Sequence, residues 1–186
     1  RQDYSTHPFT TDFGLTDVRI TTRINDMNIM EGLSSTIHEG GHALYEQGLD
    51  PKWCETPVGG ACSLGIHESQ SRLWEKLVGM SRGFWEGFYP KMVRAFPDQL
   101  AAVPVDAFYH MINYVHPTAI RVSADEVTYN LHVLIRFELE KQMINDTISA
   151  MELRELWQQK YRDYLGLDGQ TDRDGILQDV HWSAGL

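Results

Sequence analysis

The chain has 186 residues, 42% of them hydrophobic and 11% aromatic, enough to bury one substantial core. Its 26 acidic against 16 basic residues give a formal net charge of −10. No basic run interrupts that balance, which argues against nucleic acid or an anionic membrane surface as a partner.

In chain order, Asp12 to Asn25 alternates apolar and polar positions around β-branched residues and predicts one or two short strands. Asn25 or Asp26 can cap a helix that runs to about Gln47. The next stretch, GLDPKWCETPVGGACSLG, is rich in Gly and Pro and reads as a loop. A second long helix is expected from near Ile66 past Trp85, with Leu73, Leu77, Met80, Phe84 and Phe88 at helical spacing. Pro97 and Pro104 punctuate the middle, and NYVHPTAIRV reads as extended or irregular. Ser123 with Glu126 makes a capping box for a helix to about Asn145, and a further helix covers Ala150 to Leu165. GLDGQTDRDG is a loop. The expected fold is mainly α with a small β element. Two cysteines, Cys54 and Cys62, form no CxxC pair or disulfide framework, and no apolar run is long enough for a signal or a membrane span. The expected compartment is the cytoplasm.

The chemistry concentrates in the first long helix. His38, Glu39 and His42 spell H-E-x-x-H. At 3.6 residues per turn, positions i and i+4 share a face, so both imidazoles can reach one zinc ion. Glu39 stands about 100° around the helix, adjacent to the metal without competing as a ligand. A general base that takes a proton from metal-bound water belongs there. On a helical wheel Met30, Leu33, Ile37 and Leu44 form an apolar stripe with Gly40 and Gly41 inside it. Both glycines are therefore expected on the buried side, opposite the histidines, where they admit a close neighbouring backbone.

Two histidines leave a catalytic zinc one protein ligand short. Glu68 in GIHESQSRLWE is the leading candidate, with Glu46, Glu55 and Glu75 as competitors. Glu46 lies one turn beyond His42 and suits a supporting role behind the ligands. Glu55 sits in the loop, Glu75 reads as a solvated helix charge, and His67 is a further possible ligand.

These segments resemble the Taq-type metallocarboxypeptidases, thermostable-carboxypeptidase-like enzymes of bacteria and archaea. The resemblance rests on ordered motifs: HPF at His7–Phe9, DVRIT at Asp17–Thr21, HEGGH, HES at His67–Ser69, IRVSADE at Ile120–Glu126 and GILQDVHW at Gly175–Trp182. It implies a zincin-type helical metallopeptidase core with a deep groove. It also implies zinc held by His38, His42 and Glu68, with Glu39 as general base. The implied reaction removes single residues from peptide C-termini with broad specificity. Family members are longer, with helical regions before HPF and after HW, and full-length members are expected to be homodimers. The chain then corresponds to one catalytic domain over residues 1–186 without those regions.

The reaction makes two further demands. The oxyanion needs a donor besides the metal, for which His181 is the first candidate and Tyr129 the second. A C-terminal carboxylate calls for a fixed guanidinium fork, and Arg19 and Arg121 lie inside the motifs, although Arg19 can instead pair with Asp17. Arg72, one turn after Glu68, is expected to steady that ligand. Cobalt or manganese can replace zinc in such a donor set. The rival readings are a zinc endopeptidase or aminopeptidase, and a truncated metal-binding domain without catalysis.

Overall fold

A computed structural model describes residues 1–178. The chain forms two compact units, the first Arg1–Ile112 and the second from Asn113 onward. The fold is mainly helical with one small sheet, as the sequence predicts.

In the first unit, β1 (Gln2–Tyr4), β2 (Thr10–Asp12) and β3 (Val18–Thr22) form a sheet in the order β1-β3-β2. β1 runs parallel and β2 antiparallel to the central β3, with Thr10 opposite Ile20 and Gln2 opposite the same residue on the other side. β3 is the run VRITT, whose β-branched residues favour a half-buried strand. Its Thr22 hydroxyl donates to the Gly32 carbonyl at 3.1 Å, so the face bearing Val18, Ile20, Thr22 and Thr10 looks toward helix α1.

That helix spans Ile29–Gln47. Its cap is Asn28, whose side chain accepts from the Met30 N–H, three residues beyond the first residue the sequence suggested. The chain then crosses the expected Gly/Pro-rich loop, which contains two short 3₁₀ turns, Pro51–Trp53 and Pro57–Gly59. Cys54 and Cys62 are free and exposed.

The single helix expected from Ile66 past Trp85 is in fact two. α2 (Leu64–Arg72) runs into a π-helical turn, Leu73–Val78, closed by the Gly79 N–H donating to the Trp74 carbonyl at 2.8 Å. Ser81 then caps α3 (Arg82–Ala95), accepting from the Phe84 N–H. The chain breaks because the Gly79 carbonyl is taken by the Trp85 indole N–H at 2.8 Å, which fixes the corner. The stripe read from periodicity is accordingly not a continuous core face: Leu73, Leu77 and Phe88 are exposed.

α4 (Pro97–Leu100) and α5 (Val105–Ile112) complete this unit, with Pro97 opening α4 and Pro104 preceding α5. Trp85, Tyr89 and Phe108 form its buried cluster, and Met30 and Leu33 of α1 pack against it. Met30 and Leu33 of the stripe thus dock on α3 and α5, while Ile37 lies beside Gly79 and Leu44 is exposed.

The second unit begins with the irregular NYVHPTAIRV segment and a 3₁₀ turn, Arg121–Ser123. α6 covers Tyr129–Ile144 and α7 Leu153–Leu165. Ile135, Leu139, Trp157, Tyr161 and Leu165 are buried between them. The Ser123–Glu126 capping box does not form. Asp125 takes its place: one carboxylate oxygen accepts from the Val127 and Thr128 N–H groups, the other from the Thr128 hydroxyl and the His116 N–H. An aspartate two residues closer to the helix reaches these donors first. Among the described residues, no helix is long and apolar enough to cross a membrane.

Candidate metal centre

Three ligand atoms converge where α1 and α2 face each other. His38 Nε2 and His42 Nε2 lie 3.5 and 3.3 Å from the same Glu68 oxygen. Among the described residues, these three side chains are one group whose ligand atoms all fall within 4.8 Å of one another. Tetrahedral zinc with bonds of about 2.05 Å separates its ligand atoms by about 3.3 Å. The two measured separations match that edge, and two imidazoles with one carboxylate are a donor set that zinc accepts. The residues fit a divalent metal ion. Neither Glu46 nor Glu55 belongs to the group.

The close approach of the helices depends on Gly41. A Cβ there would lie 2.7 Å from the Ser71 Cα and 2.8 Å from the Gln70 carbonyl oxygen, distances no side chain tolerates. Gly41 therefore faces α2, the helix that supplies Glu68, rather than the side opposite the histidines. Gly40 meets nothing within 4 Å and is not a packing residue. Ser71, fully buried at this contact, donates to both the Glu68 carboxylate and the Glu68 backbone carbonyl.

Each histidine is also held from behind. His38 Nδ1 is 2.9 Å from Glu75. Glu75 is not a solvated charge: it is 8% exposed and accepts from Ser34, while Arg72 and Lys76 pair with it at 3.0 Å. Seven residues after Glu68, it falls within about 20° of that ligand's face by α-helical spacing, and the π turn leaves it directed at Ser34 and His38 of α1. Arg72 reaches Glu75 and so steadies the partner of His38. His42 Nδ1 is 2.6 Å from His67 Nδ1, and His67 Nε2 is 2.6 Å from Glu46.

Burial lowers the His38 pKa, but the carboxylates of Glu68 and Glu75 outweigh it and raise it to about 9. Burial likewise pushes both carboxyls up, and is again outweighed. His38, with the Lys76 and Arg72 charges, brings Glu75 down to about 2. Hydrogen bonds from His38, His42 and Ser71 hold Glu68 well below the usual carboxylate range. The centre is a site of negative potential that retains positive charge.

Glu39 is buried at 6% exposure. The Thr10 hydroxyl lies 2.6 Å from its Oε2 and 3.0 Å from its backbone carbonyl. β2 thus holds this carboxylate from the sheet side, a contact that sequence reasoning did not find. The available signal was the position of Thr10, directly after the HPF motif.

Arg19 lies on the sheet face opposite α1, by strand alternation from Thr22 and Ile20. Its Nε and Nη2 both donate to Asp17, at 2.9 and 2.7 Å, which lowers the Asp17 pKa. In the second unit, Arg121 donates to the Tyr129 hydroxyl at 2.7 Å, and its backbone N–H donates to Gln178. His181 lies outside the described residues.

Comparison with known proteins follows the same residues. The family model described as Carboxypeptidase Taq (M32) metallopeptidase matches residues 1–186. The thermostable carboxypeptidase 1 of Thermus thermophilus is 50% identical over 186 residues, covering 100% of this chain and 36% of that protein. Carboxypeptidase 1 of Bacillus subtilis is 45% identical over 185 residues, covering 100% of this chain and 37% of its own length. The crystal structure of the M32 carboxypeptidase from Deinococcus radiodurans R1 superposes with a TM-score of 0.93 at 50% identity, over 98% of this chain and 37% of that one. This chain therefore spans little more than a third of the length of these relatives.

Proposed function

This chain belongs to the carboxypeptidase Taq (M32) metallopeptidase family, and from that premise we propose that it is the metal-binding part of a zinc-dependent carboxypeptidase. The substrates in this reading are peptides, shortened one residue at a time from the C-terminus with broad side-chain tolerance. The observation that carries it is the convergence of His38 Nε2, His42 Nε2 and one Glu68 oxygen at 3.3 and 3.5 Å, with Glu39 beside them on α1.

In this reading His38, His42 and Glu68 hold the ion. Zinc, or cobalt or manganese in its place, supplies Lewis acidity, polarising a peptide carbonyl and bringing the pKa of a bound water to about 7. The protein supplies the rest. Glu75 and His67 fix the rings so that both Nε2 atoms face one point. Glu39, steered by the Thr10 hydroxyl, takes a proton from the attacking water and returns it to the leaving amine nitrogen. His181 is the proposed oxyanion donor, with Tyr129 as a second. The capture of the terminal carboxylate is assigned to Arg121 and Arg19, the second of which already gives its Nε–Nη2 edge to Asp17. A cytoplasmic location accords with two free cysteines, and a homodimer is the expected form of the longer chain.

The test pairs peptides that have free C-termini with the same peptides amidated, using the parent protein and Glu39→Gln. The expected result is release of single C-terminal residues from free peptides alone. Glu39→Gln should retain zinc while hydrolysis falls by at least about 10²-fold. Cleavage that survives amidation identifies an endopeptidase or aminopeptidase and overturns the reading. A Glu39→Gln protein that cleaves as well as the parent overturns the general-base role.

A further inference from the structure

The two histidines of the centre are backed by different chemistry. Behind His38 stands a carboxylate, Glu75, at 2.9 Å. Behind His42 stands another imidazole, His67, at 2.6 Å between the two Nδ1 atoms, and behind that the Glu46 carboxylate at 2.6 Å. The three side chains of this second chain are each 18% exposed. The His42 and His67 ring centroids lie 4.7 Å apart, and the Tyr45 ring packs edge-on against His67 at 4.8 Å.

Two imidazole nitrogens at that distance share a single proton, so one donates and the other accepts. A carboxylate oxygen can only accept, which puts a hydrogen on His67 Nε2. A neutral His67 then has a bare Nδ1 and accepts, and the shared hydrogen belongs to His42 Nδ1. That leaves the lone pair of His42 on Nε2, the atom 3.3 Å from Glu68. If the shared hydrogen sat on His67 instead, a neutral His42 would carry its own on Nε2 and offer no lone pair there.

We propose that Glu46 and His67 form a relay that locks His42 in the tautomer presenting Nε2 to the metal. His67 is thus a positioning residue, which the sequence had offered as a possible ligand. The inference rests on the metal-centre reading above and extends it to two residues outside the ligand set. It also gives the adjacent pair His67 and Glu68 a shared logic. Neighbours on a helix diverge by about 100°, so α2 meets the His42 ring from both edges, Glu68 at Nε2 and His67 at Nδ1.

The experiment has two arms on the intact protein. Long-range ¹H–¹⁵N correlation of the imidazoles in the metal-free parent reports the tautomers directly and needs no substitution. The relay requires His42 with hydrogen on Nδ1 and His67 with hydrogen on Nε2. The reverse assignment at His42 overturns it. The second arm measures Zn²⁺ affinity by chelator competition. His67→Leu removes the acceptor and should weaken binding by about 10- to 100-fold. In His67→Gln, one amide oxygen accepts from His42 while the amide N–H donates to Glu46. This variant should recover most of the loss and keep the His42 tautomer. A folded His67→Leu that binds Zn²⁺ like the parent, or a His67→Gln as impaired as His67→Leu, overturns the proposal. If His67→Leu does not fold, the tautomer arm still decides. Neither arm uses peptide hydrolysis, so a failure of the peptidase reading leaves a different signature: intact tautomers and Zn²⁺ affinity with no product.

Discussion

Two adjacent glycines in one helix should respond in opposite directions to the same small change. Either one replaced by alanine gains up to about 1 kcal/mol of helix propensity. At Gly40 nothing lies within 4 Å of the added carbon, so Gly40→Ala should keep that gain and raise stability by about 0.5–1 kcal/mol. At Gly41 the added carbon would stand 2.7 Å from the Ser71 Cα. Restoring an ordinary carbon–carbon separation of about 3.5 Å requires α2 to retreat by roughly 0.8 Å. Overpacking of this kind costs about 1–3 kcal/mol, which cancels or exceeds the propensity gain. The retreat also carries Glu68 away from His38 Nε2 and His42 Nε2, now 3.5 and 3.3 Å distant. Gly41→Ala should therefore lose up to about 2 kcal/mol net and bind Zn²⁺ at least about tenfold more weakly. Gly40→Ala should bind it normally. Thermal unfolding of the metal-free proteins and chelator competition measure both effects. A Gly41→Ala protein as stable as Gly40→Ala, with unchanged Zn²⁺ affinity, would refute this account of how the helices meet.

Metal binding should be strongly pH-dependent. A ligating imidazole is neutral, whereas His38 without metal titrates at about 9. Apparent Zn²⁺ affinity should rise by up to about tenfold per pH unit between 7 and 9, with about one proton released per ion bound. Metal-free stability should run the other way. The raised His38 pKa stabilises fully below about 6.5 and stops doing so as pH climbs through 9, and the depressed Glu75 stabilises above about 4.5 and stops as pH falls toward 2. Calorimetry with and without Zn²⁺ should show the two Tm profiles diverging above pH 7, and a metal-free Tm that rises from pH 7 to 9 contradicts the sign. Arg121→Met should raise KM for peptides with a free C-terminus by at least about tenfold. It should leave Zn²⁺ affinity unchanged, and a KM equal to the parent's would remove Arg121 from carboxylate capture.

The parts legible in the sequence are those set by local periodicity. His38, Glu39 and His42 follow from 3.6 residues per turn, and the end of α1 at Gln47 and of α6 near Asn145 fall where expected. Glu68 led its competitors on position, and the motif resemblance singled it out. What stayed illegible depends on how one element registers against another. β1 is three exposed residues whose strand character comes from pairing with β3, each with a partner eighteen residues on, as Gln2 with Ile20. The apolar stripe drew Gly41 to the side opposite the histidines, whereas at 100° per residue it stands about 60° from His38 and meets the α2 backbone, which carries no hydrophobic signature. Glu75 looked solvated because its neighbours Ser34 and His38 belong to another helix. Asp125 displaced Ser123 as the turn-former because both match the same pattern and geometry chose between them.

The π turn at Leu73–Val78 carries a consequence for how the centre tolerates change in chain length. A π-helical turn is wider than an α turn by one hydrogen-bond step, so the helix holds one residue more than a regular coil needs over that stretch. The direction in which Glu75 points is thus fixed by a residue count, independently of which side chains make up the count. Replacing the flanking residues one at a time leaves that count intact. Removing one residue ahead of Glu75 within the turn returns the stretch to regular α-helix, keeps the residues beyond it in phase and turns the carboxylate away from His38. The orientation of this group is a property of spacing, open to a single deletion and, among substitutions, to one at Gly79, where a Cβ would stand 2.7 Å from the Glu75 carbonyl oxygen.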